Sequence, residues 1–265
     1  MMEKMVFGRY IPGDSFVHRL DPRTKLIFVF IFIAAVFLAN NTASYALLLG
    51  FTLLSILVSK VRIGFLIGGL KPVIFLIVFT FLLHIFFTRQ GDLLFEFGFI
   101  KVYEEGLRQG IFISTRFLVL VLMTSLLTLT TSPISITDGL EVLLGPLKKV
   151  KFPVHELALM MSISLRFIPT LMDETDKILK AQLARGSDIS SGTMKERVKA
   201  VVPLLVPLFV SAFKRAEDLA IAMEVRGYRG GEGRTRYRQL KWDWRDTAAI
   251  LVLLALIAGL WLLRG

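Results

Sequence analysis

The sequence predicts an all-α integral membrane protein of about five transmembrane helices, with a cytoplasmic or interfacial helical coupling region. Three observations predict it. The 265-residue chain is 54% hydrophobic with a mean hydropathy of +0.66 and 22 phenylalanines, more apolar surface than water can host unless most of it is hidden. The apolar residues come in blocks of helix length. The net charge of +11 is unevenly distributed, in the manner of loops that alternate between the two sides of a bilayer.

Five blocks are candidates to cross: Leu26 to Ala39, Tyr45 to Ser59, Val73 to Phe87, Gly110 to Thr130 and Thr247 to Leu263. A span needs about 20 residues, so the first three must recruit their flanks or thin the bilayer locally. The stretch before Leu26 carries Lys4, Arg9, Arg19, Arg23 and Lys25, and the second loop carries Lys60, Arg62 and Lys71 with no acid. The Asn40-Asn41 turn is uncharged, and the loop from Thr88 to Arg108 sets three bases against four acids. The N-terminus is therefore expected inside, the third loop outside and the C-terminus outside. The first residues, "MMEKMVFGRYIPGDSF", lack the apolar core and cleavage site of a secretory signal.

Three regions follow: residues 1–132 with four transmembrane helices, 133–245 as the coupling region, and 246–265 as the last transmembrane helix. The middle region holds 19 Lys/Arg and 13 Asp/Glu between Pro133 and Arg245, yet it includes "HELALMMSISLRFIPTL" and "AVVPLLVPLFVSAF". These are too short, too charged or too proline-broken for confident spans and suit helices lying on an apolar surface.

Two helices in this region end alike. "AQLARGSD" and "AMEVRGYRGG" place Arg-Gly pairs 41 residues apart, at Arg185-Gly186 and Arg226-Gly227. Upstream apolar residues follow the three-and-four spacing of one helical face. Glycine after a helix is the favoured left-handed cap, and arginine in the last turn suits the helix dipole. Each arginine nevertheless lies seven residues after an apolar position (Ile178 and Leu219), only about 20° off the apolar stripe. Caps and docking ends are both compatible with that placement.

Other chemistry is thinly represented. With no cysteine, there is no disulfide frame or thiol chemistry. No Gly-x4-Gly-Lys-Ser/Thr phosphate loop, His-Glu-x-x-His or Gly-x-Ser-x-Gly occurs, and His18, His84 and His155 lack metal-ligand spacing. The chain is expected to be no enzyme and to bind no cofactor or metal. Arg116, inside the fourth block, either snorkels or forms a buried ion pair with another subunit. "GRTRYRQLKWDWRD", Gly233 to Asp246, has the composition of an RNA-binding strip, but directly before a span it reads more simply as an interface belt with Trp242 and Trp244 at headgroup depth. No nucleic-acid partner is expected.

"HRLDPRTKL" (His18 to Leu26), "LRFIPTL" (Leu165 to Leu171), "ARG" (Ala184 to Gly186) and "EVRGY" (Glu224 to Tyr228) resemble, in that order, the transmembrane coupling subunit of energy-coupling factor (ECF) transporters, over essentially the whole chain. The resemblance implies a multi-pass protein of the prokaryotic cell membrane with a cytoplasmic N-terminus. Its implied partners are two ABC-type ATPases, which carry ATP and Mg, and a small membrane subunit that captures a vitamin or metal ion. The family's paired Ala/Ser-Arg-Gly motifs seat on the ATPases. Here they correspond to Ala184, Arg185 and Gly186, and to Val225, Arg226 and Gly227, with Val225 where a small residue is usual. The resemblance further implies that Val201, Pro203, Leu204, Leu205, Pro207, Leu208 and Phe209 meet the substrate-capturing subunit. The two prolines suit either a sliding surface or an ordinary kinked helix. A stand-alone carrier or channel is the alternative, and it would need intramembrane charges beyond Arg116 and His84.

Overall fold

A computed structural model describes residues 10–97, 100–186, 193–230 and 239–264. Lys4, Arg9 and residues 233–238 of the basic aromatic strip lie outside the described residues. The elements run α1 (Pro22–Val36), α2 (Thr42–Ser59), α3 (Ile63–Phe87), β1 (Leu93–Phe97), β2 (Ile100–Tyr103), α4 (Glu104–Thr130), α5 (Pro133–Leu143), a 3₁₀ turn (Gly145–Val150), α6 (Val154–Ala184), α7 (Met194–Val225) and α8 (Trp244–Leu262). Among the described residues the protein is all-α apart from one antiparallel hairpin, β1–β2, which the sequence did not announce. Five helices among the described residues are long and apolar enough to cross a membrane: α2, α3, α4, α6 and α8. Four contain expected blocks. The fifth expected block forms α1, whose 15 residues span about 22 Å, short of a hydrocarbon core. By length and composition α6 qualifies instead.

Two compact units form, Phe7–Val142 with Leu240–Gly265 and, separately, Leu143–Gln239. In the first, α1 is central: Phe32 and Val36 are fully buried with Leu48 of α2, Val119 of α4 and Leu253 and Leu260 of α8. Leu66 is the one buried residue of α3, which leaves Phe75, Phe79 and Phe87 exposed. It is drawn close to α4 at Gly106, where an added Cβ would lie 3.0 Å from the carbonyl oxygens of both His84 and Thr88, and at Gly110, where it would lie 3.1 Å from the Phe81 ring. This spacing of four residues is the small-residue device that lets membrane helices approach.

Both ends of this unit are tied by polar groups. At one end, Asp21 caps α1 by accepting from the Arg23 amide, and Pro22 at the first helical position lacks only an N–H that would have no partner there. The Arg23 guanidinium donates back to Asp21 at 2.9–3.0 Å and reaches the Leu240 carbonyl at 3.4 Å. Asp246, 1% exposed, accepts the Asp21 amide on one carboxylate oxygen (2.8 Å) and the Asp243 amide on the other (2.9 Å). Lys25, 5% exposed, donates to the carbonyls of His18 and Thr130 and to the Thr131 hydroxyl. The motif "HRLDPRTKL" is thus a set of ties joining the N-terminal segment to the end of α4 and the start of α8. At the opposite end, Asn40 and Asn41 donate to the carbonyls of Arg264 and Leu263, which α8 would otherwise leave without partners.

Arg116 sits midway along α4, and both sequence readings looked outside the chain for its partner. The structure shows an internal solution. The guanidinium donates to the Tyr45 hydroxyl (2.7 Å) and the Ala39 carbonyl (3.4 Å) at the α1–α2 turn and lies 5.2 Å from the Phe37 ring centre.

Two outcomes are expected. Asp246→Ala removes the acceptor of the buried Asp21 amide and the half-buried Asp243 amide, and a counter-charge from Arg23 and Lys25. It should destabilise the fold by about 3 kcal/mol, read by thermal unfolding in detergent, with Asp246→Asn between it and wild type. The second concerns His18, whose Nε2 must donate to the Ile11 carbonyl (3.0 Å), leaving Nδ1 to accept from Ser15 (2.7 Å). Burial lowers the His18 pKa; the Ile11 carbonyl opposes this, and the charge of Lys25 adds to it. The unfolded segment therefore binds a proton more readily than the folded one, so stability is complete above about pH 6.5 and falls as pH drops toward the folded pKa. The Ile11 amide, bonded to the Leu129 carbonyl at 2.9 Å, should lose exchange protection over that range, and His18→Asn should abolish the pH dependence.

Candidate functional site

The two Arg-Gly endings adopt the same geometry. α6 stops at Ala184, with Arg185 as its cap and Gly186 left-handed at φ +82°, its amide donating to the Leu183 carbonyl at 3.0 Å. α7 stops at Val225, and Gly227 is left-handed at φ +71°. There the Gly227 amide donates to Glu224 (2.8 Å) and the Tyr228 amide to Met223 (2.9 Å), the paired bonds of a Schellman cap. A Cβ on either glycine would meet nothing within 4 Å. Glycine is required by the backbone sign alone, because an L-residue in that region costs about 1–2 kcal/mol.

What the caps present is exposed. Ala184, Arg185, Gly186, Arg226 and Gly227 all lie on the surface, and Val225 is 81% exposed. Among the described residues neither guanidinium has an ion pair or hydrogen bond.

Among the described residues, one ion pair joins the two helices. Arg215 donates to Glu174 at 2.8 Å, and its Nε reaches Ser211 at 3.3 Å. Glu174 lies eleven residues before Arg185, and Arg215 eleven residues before Arg226. The tie therefore links equivalent positions of the two helices, each about 16 Å along the axis from its arginine. Sequence reasoning laid these two helices in register but drew no contact from it.

The residues from Val201 to Phe209 divide by face. α7 is one helix through Pro203 and Pro207, whose missing amides, four residues apart, fall on a single face. Leu204 is buried, Val201 and Leu208 are half-buried, and Pro203, Leu205, Pro207 and Phe209 are exposed. The outward apolar stripe is Val202, Leu205, Val206, Phe209, Val210 and Phe213, the last 73% exposed. Of the residues named from the sequence, Leu205 and Phe209 lie on this stripe, which also takes in Val202, Val206, Val210 and Phe213.

The fold defines an all-α integral membrane protein, with a helical pair whose Arg-Gly termini are exposed. Its sequence agrees with that class. Residues 13–237 match the CbiQ family, described as cobalt transport protein. The chain is 66% identical over 265 residues, the full length of both, to the energy-coupling factor transporter transmembrane protein EcfT of Bacillus subtilis (strain 168). It is 59% identical over 261 residues to that of Exiguobacterium sibiricum, covering 98% of this chain and 99% of the relative. Over 255 residues it is 52% identical to that of Streptococcus thermophilus, covering 96% and 97%. The chain belongs to the CbiQ family.

Gly227→Ala should strain the α7 cap without any steric clash, so the Tyr228 amide should exchange several-fold faster while global unfolding stays within about 1–2 kcal/mol of wild type. Unchanged exchange at Tyr228 would show that the left-handed cap is not needed.

Proposed function

We propose that this chain is the non-catalytic transmembrane coupling subunit of an ECF-type importer, linking ATP hydrolysis by two cytoplasmic ATPases to a small membrane subunit that captures a vitamin or metal ion. The observation that carries this reading is the pair of glycine-capped helix ends, each presenting an exposed arginine without a side-chain partner among the described residues, equidistant from a shared ion pair. A solubilising arginine needs no such symmetry. Two ends that engage two similar sockets do.

In this reading residues 1–132 and 246–265 hold the protein in the cell membrane with the N-terminus cytoplasmic, and 133–245 form the coupling region. Ala184, Arg185 and Gly186 dock on one ATPase, and Val225, Arg226 and Gly227 on the other. ATP and Mg belong to those chains, and this one holds no cofactor. Nucleotide binding and hydrolysis bring the ATPases together and let them part, and helices seated in both follow as rigid bodies. The Glu174–Arg215 tie is then a crossing point with equal arms, so that displacement at one end is matched at the other. The apolar face of α7 that holds Leu205 and Phe209 is the surface on which the capturing subunit moves, with Val201, Pro203, Leu204, Pro207 and Leu208 shaping the helix behind and beside it.

The test is the double variant Arg185→Ala/Arg226→Ala, purified from its native membrane in mild detergent. The ATPases should no longer co-purify, and uptake should fall at least tenfold, with membrane insertion unchanged. Normal assembly and uptake would rule the docking role out.

A further inference from the structure

The end of α7 borders a cleft of about 670 Å³ whose other wall is the first half of α6. Three guanidinium-bearing residues line it: Arg226 of the docking end, Arg229 just beyond the cap, and Arg166, sixty residues earlier in the "LRFIPTL" motif. Among the described residues no aspartate or glutamate lines it. Arg166, Arg226 and Arg229 are all exposed, and among the described residues none of their side chains has an ion pair or hydrogen bond. The floor is apolar, with Leu159, Phe167 and Met223.

We propose that this cleft is a second point of contact for the ATPase that seats the α7 end, and that it receives an acidic segment of that protein. The proposal rests on the docking reading above and adds to it the chemistry of the partner and the residues Arg166 and Arg229. Three like charges around one cleft are tolerable while water fills it, because the dielectric constant weakens their repulsion. Any protein that covers Arg226 covers this cleft too and expels that water. The covering surface must therefore supply carboxylates, or the interface would bury uncompensated positive charge at a cost of several kcal/mol. The planar fork of arginine suits bidentate pairing with carboxylates, and the apolar floor accepts the aliphatic stems of the segment that carries them. α6 thus contributes to both docking ends, through Arg185 at its own terminus and through Arg166 at that of α7.

The experiment measures binding of the purified ABC-type ATPases to the full-length chain in detergent micelles, at about 50 and 200 mM salt. The variants are Arg166→Glu/Arg229→Glu and the conservative Arg166→Lys/Arg229→Lys, both retaining Arg185 and Arg226. Charge reversal should weaken binding at least tenfold and flatten its salt dependence, whereas the lysine pair, which keeps the charge and loses the fork, should fall between the reversed variant and wild type and keep the wild-type salt dependence. These side chains are exposed, and an unchanged helical signal and melting profile confirms that the comparison is between folded proteins. Wild-type affinity and salt dependence in the reversed variant would overturn the cleft contact while leaving the Arg185 and Arg226 docking intact. A wild-type chain that binds neither ATPase would overturn the docking reading itself. A loss seen only in nanodiscs containing anionic phospholipid, and not in micelles, would assign the cleft to a lipid headgroup and overturn the proposal.

Discussion

The membrane unit depends on one buried carboxylate. Asp246 opens the last helix and holds the amide that opens the first, across 225 residues of sequence. In an apolar bundle such a group is costly unless every lone pair is used. Here two backbone amides take one oxygen each, while Arg23 and Lys25 supply opposite charge nearby. α1 is too short to hold its place by length, so its position is set by this knot at one end and by Asn40 and Asn41 at the other. The chain can then leave the bundle after α5 and return at Leu240 with its two boundary points fixed.

Much of this was legible because it is local. Helix starts were readable in Asp-Pro, Asn-Asn-Thr and Asp-Trp-Arg-Asp, helix ends in Arg-Gly, and spans in the apolar blocks. The Arg-Gly caps in particular follow from one residue's freedom to take positive φ, and both glycines do so. What stayed hidden is non-local. Nothing near Asp246 names Asp21 as its partner, and nothing near Arg166 indicates that it shares a cleft with Arg226. The short hairpin of β1 and β2 lies in a stretch with weak alternation, and its pairing is a tertiary fact. The two prolines lie inside one 32-residue helix, and their spacing concentrates both missing amides on one side of it.

The two units treat charge in opposite ways, and that contrast bears most directly on function. In the unit built on α1, Arg23, Lys25 and Arg116 each find oxygen partners within a few ångströms. In the unit of α6 and α7, the ion pair of Glu174 with Arg215 joins the two helices, while Arg166, Arg185, Arg226 and Arg229 are exposed and have no side-chain partner among the described residues. Self-contained polar chemistry makes a rigid anchor. Outward, uncompensated chemistry leaves a partner to complete it, and arginine is the side chain whose fixed fork makes such completion geometrically selective. In the second unit α6 and α7 both end in exposed arginines. Force applied at those ends is resisted where the helices touch. At Glu174 and Arg215 that contact lies equally far from either arginine, so neither end has the mechanical advantage.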